Sequence, residues 1–182
     1  MFGDHSAVTQ AIFRAIAVLL GLVPSSSEAS ARILRAYASP PPPQAGSETN
    51  LCFFDLNPDR NAQMLTERSV IHGINAIYRF IPYTLNIVFY GPSAETDAIR
   101  VRDNLFVDGA AHPLSILRKT GIYPIPPTEP PTVVYEEEGA LFRKRADLVL
   151  AVRILDNSDD KESGNLEADL ITYPPNVDLM IP

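Results

Sequence analysis

The chain contains no tryptophan and a single cysteine in 182 residues. One cysteine excludes an internal disulfide and any cysteine-built metal site. Flanked by Leu51 and Phe53, Cys52 reads as a small apolar residue. Long apolar runs are missing as well. The best candidate, residues 11–23, is interrupted by Arg14 and falls short of the ~20 residues that a membrane-spanning helix needs. No Lys or Arg precedes Arg14, where a secretory leader would carry its basic residues. The expectation is an unexported, cytoplasmic product with no membrane partner. Positive charge is not in excess either. The net charge of −7 argues against a general nucleic-acid binder, which needs a basic face.

Motifs that carry chemistry are absent too. His5, His72 and His112 lie far apart with no His-Glu-x-x-His spacing. There is no Gly-x-Ser-x-Gly, no P-loop and no Gly-x-Gly-x-x-Gly, and Cys52 lacks a Cys-His motif. Asp55, Asp59, Asp97, Asp103 and Asp108 are spread over turns and helix ends, where capping and solvation explain them more simply than acid–base work. We therefore expect no enzyme, no cofactor, and no catalytic, cofactor-binding or metal-binding residue.

What the chain does have is a globular composition, 46% hydrophobic and 20% charged, at a length that suits one domain with a core. It also has seventeen prolines, clustered at 40–43, 124–131 and 174–175. Proline fixes φ and cannot donate to a strand ladder, so these clusters read as connectors or arms, not strand interiors.

The organising stretch is residues 133–157. Val133-Val134-Tyr135 opens it. Residues 146–155 alternate, with Leu148, Leu150, Val152 and Ile154 on one face and Asp147, Val149, Ala151 and Arg153 on the other. That period of two is the signature of a half-buried strand. Glu138-Gly139 supplies the turn of a β-hairpin. Across it the Glu136-Glu137-Glu138 and Arg143-Lys144-Arg145 clusters face each other, either pairing across the strands or meeting a neighbouring subunit. Exposed pairs contribute roughly 0–1 kcal/mol each and set register or partner choice more than stability.

Upstream, Asp4 caps a helix over about residues 5–20 with the stripe Val8, Ile12, Ile16, Leu19, Leu20 and Val23, stopped by Gly21 and Pro24. Residues 25–30 read as a loop, 32–37 as a possible strand, 40–50 as a long loop and 51–56 as a strand ended by the turn Asn57-Pro58-Asp59. Residues 66–71 suit a strand or an irregular extension. Residues 76–90 suit a strand, with Pro82 restricting its early side to an edge or a bend. Ser93 is placed to cap a helix reaching about residue 106, with Ala98, Val101 and Leu105, and also Ile99 and Phe106, as candidate core residues. Asp108-Gly109 closes it. A short helical turn at 113–119 leads into a proline-rich crossing at 121–132. Residues 158–165 read as a loop, 166–173 as a last strand and 176–182 as an apolar tail. The expected class is α+β: a single domain over residues 1–182 with a mostly antiparallel sheet. Two main helices pack on one face, beside long proline-rich loops and an extended C-terminal arm. The N-terminal helix occupies residues 1–24, and the loop and arm occupy 158–182.

Two segments carry a family signal. One is Leu85-Asn86-Ile87-Val88-Phe89-Tyr90-Gly91-Pro92, leading into the Ser93 helix. The other has Gly139 ahead of Arg145-Ala146-Asp147-Leu148, which opens the long strand. With the proline-rich loop ahead of the strand at 51–56, this order over residues 33–157 resembles the neck or tail terminator proteins of long-tailed bacteriophages. The resemblance implies a homohexameric ring in the virion neck, assembled in the host cytoplasm. The ring caps the tail tube, stops its growth and offers a docking face to the head connector. Its implied partners are further copies of itself, the tail tube protein, the head connector or stopper protein, and the sheath protein if the tail is contractile. Genomic DNA passes through the lumen without specific binding. A ring multiplies the subunit charge about six-fold, and an acidic lumen would keep DNA from adhering. Glu136, Glu137, Arg143, Arg145 and Asp147 are the candidate subunit-interface residues, with Arg145 and Asp147 expected on opposite sides of the long strand. Another head–tail joining protein of the head-completion or stopper kind, or a small ligand-binding domain or enzyme, is the alternative.

Overall fold

The computed structural model of the chain describes residues 5–36, 48–71, 74–107, 112–138 and 141–156. In chain order these form α1 (His5–Leu19), α2 (Ser27–Arg32), β1 (Ile33–Arg35), β2 (Leu51–Pro58), β3 (Leu65–Ile71) and β4 (Ile74–Tyr90). Then follow α3 (Ala94–Asn104), α4 (Pro113–Lys119), β5 (Ile122–Pro124), β6 (Thr132–Glu138) and β7 (Leu141–Asp156).

The class is α+β. Seven strands make one sheet in the order β1-β2-β4-β7-β5, with β3 also on β4 and β6 also on β7. β1 runs parallel to β2, and every other pairing in the described sheet is antiparallel. β4 and β7 are the long central pair, in register from Arg79↔Asp156 to Tyr90↔Arg145. Their alternation decides the layers. Tyr83, Leu85, Ile87 and Phe89 of β4 point to the same side as Ala146, Leu148, Leu150 and Val152 of β7, and all eight are buried. On that side they meet Ile12 and Ile16 of α1, Ala98 and Val101 of α3 and Leu117 of α4 in one core. Burying each large side chain contributes roughly 1.5–3 kcal/mol, which makes this layer the main source of stability. Cys52 packs here as a buried apolar residue, and burial pushes its thiol pKa up.

Each long strand outruns its partner. β4 begins five residues before its pairing with β7, and that stretch pairs with β3. β7 begins four residues before its pairing with β4, and pairs there with β6. Because β4 and β7 are antiparallel, two ribbons project from opposite ends of the sheet.

Several expectations change. Residues 25–30 are not a loop throughout: Ser26 Oγ accepts from Ala29 N at 3.1 Å and caps α2. Val23 is exposed, not part of the α1 stripe. Strand β2 continues through Pro58, and the turn comes at Asp59, whose Oδ1 accepts from Asn61 N and Ala62 N. Within the proline-rich crossing, residues 122–124 add β5 to the edge of β7. Pro82 sits in the middle of β4, a strand paired on both edges. Its carbonyl faces β2 and accepts from Asp59 N at 3.0 Å. Its missing N–H lies on that same side, since a strand residue directs both groups to one neighbour. There the β2–β3 chain bulges through residues 59–64, so no ladder bond is lost. Ser93 does not cap α3 with its side chain. Asn50 Oδ1 accepts from Ser93 N at 2.9 Å instead. Ala98 and Val101 of α3 and Leu105 at its C-cap are buried and Phe106 packs half-buried against the core, as expected, whereas Ile99 is exposed. The Asp4 cap, the Asp108-Gly109 stop, most of the 40–50 loop and the readings of residues 158–182 lie outside the described residues.

Candidate functional site

Alternation that buries one side of β4 and β7 leaves the other side without a covering layer among the described residues. Thr84, Asn86, Val88 and Tyr90 of β4 share this open face with Arg143, Arg145, Asp147, Val149, Ala151 and Arg153 of β7. From β2 it takes Phe53, Asp55 and Asn57. No described helix covers these side chains, and Val149 is 56% exposed. A depression of about 250 Å³ lies here, with Phe53, Asp55, Asn86, Val88, Asp147 and Val149 among its lining residues.

One rim of the depression is a charged cluster around Tyr90. Arg145 donates to both carboxylate oxygens of Asp147, Nε–Oδ1 at 2.6 Å and Nη2–Oδ2 at 2.8 Å, and its Nη1 reaches Glu136. Such two-point contacts fix the planar guanidinium in orientation. The bond to Asp147, followed by that to Glu136, raises the pKa of Arg145 despite its partial burial. Arg143 and Arg145 both lie over the Tyr90 ring, with Cζ 4.7 and 5.8 Å from its centroid. Phe53 meets the same ring edge-on at 5.8 Å. Burial pushes the Tyr90 phenol up against the pull of Arg145, with Glu136 adding to the rise.

Four of the five sequence-derived interface residues, Glu136, Arg143, Arg145 and Asp147, gather at this cluster. Glu137 lies on the opposite side of the ribbon, cross-strand from Phe142. Arg145 and Asp147 are not on opposite sides of β7. They share a face and bond each other, as residues two apart in a pleated strand must. In the ladder Glu136 stands opposite Arg143, Tyr135 opposite Lys144 and Glu137 opposite Phe142, so the two charge clusters interlock only in part. Lys144 instead donates to Glu95 of α3 at 2.6 Å.

Phe53, Asn86, Val88 and Tyr90 are not among the interface residues expected from the sequence. For Asn86, Val88 and Tyr90 the signal is the outward half of the alternation in β4, which identifies a face as readily as the inward half does; Phe53 joins them from β2 through its register with Val88. The charges on this face balance: Arg143, Arg145 and Arg153 stand against Asp55, Glu136 and Asp147. Of the net −7, residues 157–182 hold −5, from six acidic residues and one lysine. The acidity that distinguishes the whole chain is therefore not a property of the open face.

Among the described residues no group of three His, Cys, Asp or Glu side chains is disposed to hold a metal ion. No helix among them is long and apolar enough to cross a membrane. The chain matches no protein-family model and no curated protein.

Proposed function

We propose that the chain is a ring-forming structural subunit of the neck of a long-tailed bacteriophage, of the tail-terminator kind. It closes on the head-proximal end of the tail tube, halts tube growth and presents a docking face to the head connector. DNA passes through its lumen. Its work is steric and interfacial, with no bond made or broken. The phage setting comes from the resemblance of residues 85–92 and 134–148 to that family. The observation that carries the assembly reading is the one-sided sheet. Its helix side is a closed core, while its other side leaves Phe53, Val88, Tyr90 and Val149 without a covering layer among the described residues. A partly apolar, rigid face beside projecting strands suits a subunit that completes itself against neighbours.

Light scattering with negative-stain imaging of the purified chain, alone and with tail tubes, tests the reading. The expected result is an annulus of hexamer mass with a central hole, seated on tube ends and blocking further tube polymerisation. A chain that stays monomeric and leaves tube ends uncapped would sink it. Binding to the head connector but not to tube ends would move the chain to the head-completion class.

A further inference from the structure

We infer that the β6–β7 ribbon of one copy docks, through Phe142 and Tyr135, into the open-face depression of the next copy. The inference rests on the ring reading above and names its contact.

Phe142 and Tyr135 are the two most exposed large apolar side chains among the described residues, at 70% and 66%. Both point to the helix side of the ribbon. Along β7 that side runs Phe142, Lys144, Ala146, and Tyr135 stands opposite Lys144. Ala146 is buried beneath the helices and Lys144 is held by Glu95 of α3. Phe142 is the next residue outward on that side, past this last tie to the helix layer. A two-stranded ribbon is marginal in water on its own, and exposed aromatic side chains on it are the usual anchors of an interface.

The receiving surface is the depression with Phe53, Val88 and Val149 on its walls. It opens on the opposite side of the same sheet. A chain's own Phe142 therefore cannot reach its own depression, so the contact joins two copies. Because ribbon and depression are different patches, the contact is head-to-tail, the kind that repeats around a ring. Charge agrees with this pairing. Glu137, cross-strand from Phe142, and Arg153, on the open face, are both exposed. Neither takes part in an ion pair among the described residues. Arg153 lies four residues along β7 from Val149, outside the lining of the depression, so the contact reaches along the strand to set Glu137 of one copy against Arg153 of the next.

Two full-length variants test this: Phe142→Asp, which spoils the ribbon, and Val149→Arg, which blocks the depression. Both positions are exposed, and thermal melts matching the unmodified chain establish that each variant folds. Each alone should weaken self-association at least about thirtyfold, the loss of one anchor residue. An equimolar mixture should form a 1:1 pair and nothing larger. In that pair the intact ribbon of the Val149→Arg copy enters the intact depression of the Phe142→Asp copy. Rings that form normally from both variants overturn the inference and leave the ring reading standing. Loss of assembly in both variants without pairing in the mixture overturns the head-to-tail match. Open chains from the unmodified protein, with both variants and the mixture behaving as expected, sustain the contact and overturn the ring. A Val149→Cys thiol shielded from labelling in the monomeric Phe142→Asp background also overturns it, because the chain's own remainder then occupies the depression.

Discussion

Leu148, Leu150 and Val152 of β7 are buried beneath helices, while Val149, Ala151 and Arg153, interleaved with them in the same strand, face outward. The two sides share a backbone, a register and a ladder with β4, and differ only in what lies above them. The inward side joins one core cluster with residues of every described helix or its cap, and so determines whether the chain folds. The outward side carries a depression, two arginines over one tyrosine and balanced charge. Substitutions there should alter what the chain meets, with little change in whether it folds.

The sharpest test of that contrast is a matched pair. Phe89→Ala on the core side should cost about 3–5 kcal/mol, and Val149→Ala on the open side should stay within about 0.5 kcal/mol. Urea denaturation midpoints measure both, and comparable losses would erase the distinction between the faces. Next in size is Gly91→Ala, at the junction of β4 and α3. Gly91 has φ +103, and a Cβ there would lie 2.6 Å from Thr49 O. A loss of more than ~1 kcal/mol is expected from strain and collision together. A neutral result would show that the junction relaxes, and that the edge of the open face is softer than its geometry implies.

The smallest effect concerns Asp97, a buried carboxylate on the helix side that accepts from Arg32 at 3.3 Å. Burial raises its pKa above the ordinary 3.8, against the pull of Arg32 and then Arg100. The folded chain thus holds this proton more tightly than the unfolded chain. Its contribution to stability is largest below pH 3.8 and declines as pH rises through the raised folded value. Asp97→Asn should flatten the dependence of the urea midpoint on pH over that window. An unchanged slope would mean that Arg32 neutralises the cost of burial in full.

Where a feature depended on alternation, it was legible. The inward and outward sets of β7 and the Tyr83, Leu85, Ile87, Phe89 stripe of β4 follow from period two alone. The same period, applied strictly, puts Arg145 and Asp147 on one face. Features that depended on what lies opposite were not legible. Pro82 reads as an edge signal until the bulge at 59–64 is seen to fall beside its missing donor. Ser93 resembles a cap, but its side chain makes no capping bond, and its own N–H is taken by Asn50, 43 residues earlier. Helix α2 is six residues long and buries only Ala29, too little apolar surface for a periodic signal. Tyr90 becomes a platform for two arginines only through its register with Arg145. The exposed pair Tyr135 and Phe142 was hidden because both residue types normally mark a strand's buried side.

The opposed overhangs of β4 and β7 also have a mechanical meaning. A load pulling the two ribbon tips apart draws β4 and β7 past each other along their own axes. Hydrogen bonds between antiparallel strands lie across that direction. The twelve register pairs from Arg79↔Asp156 to Tyr90↔Arg145 are then loaded side by side in shear, instead of being unzipped from one end. Tension applied between the two ends of the sheet would therefore be shared along the β4–β7 ladder.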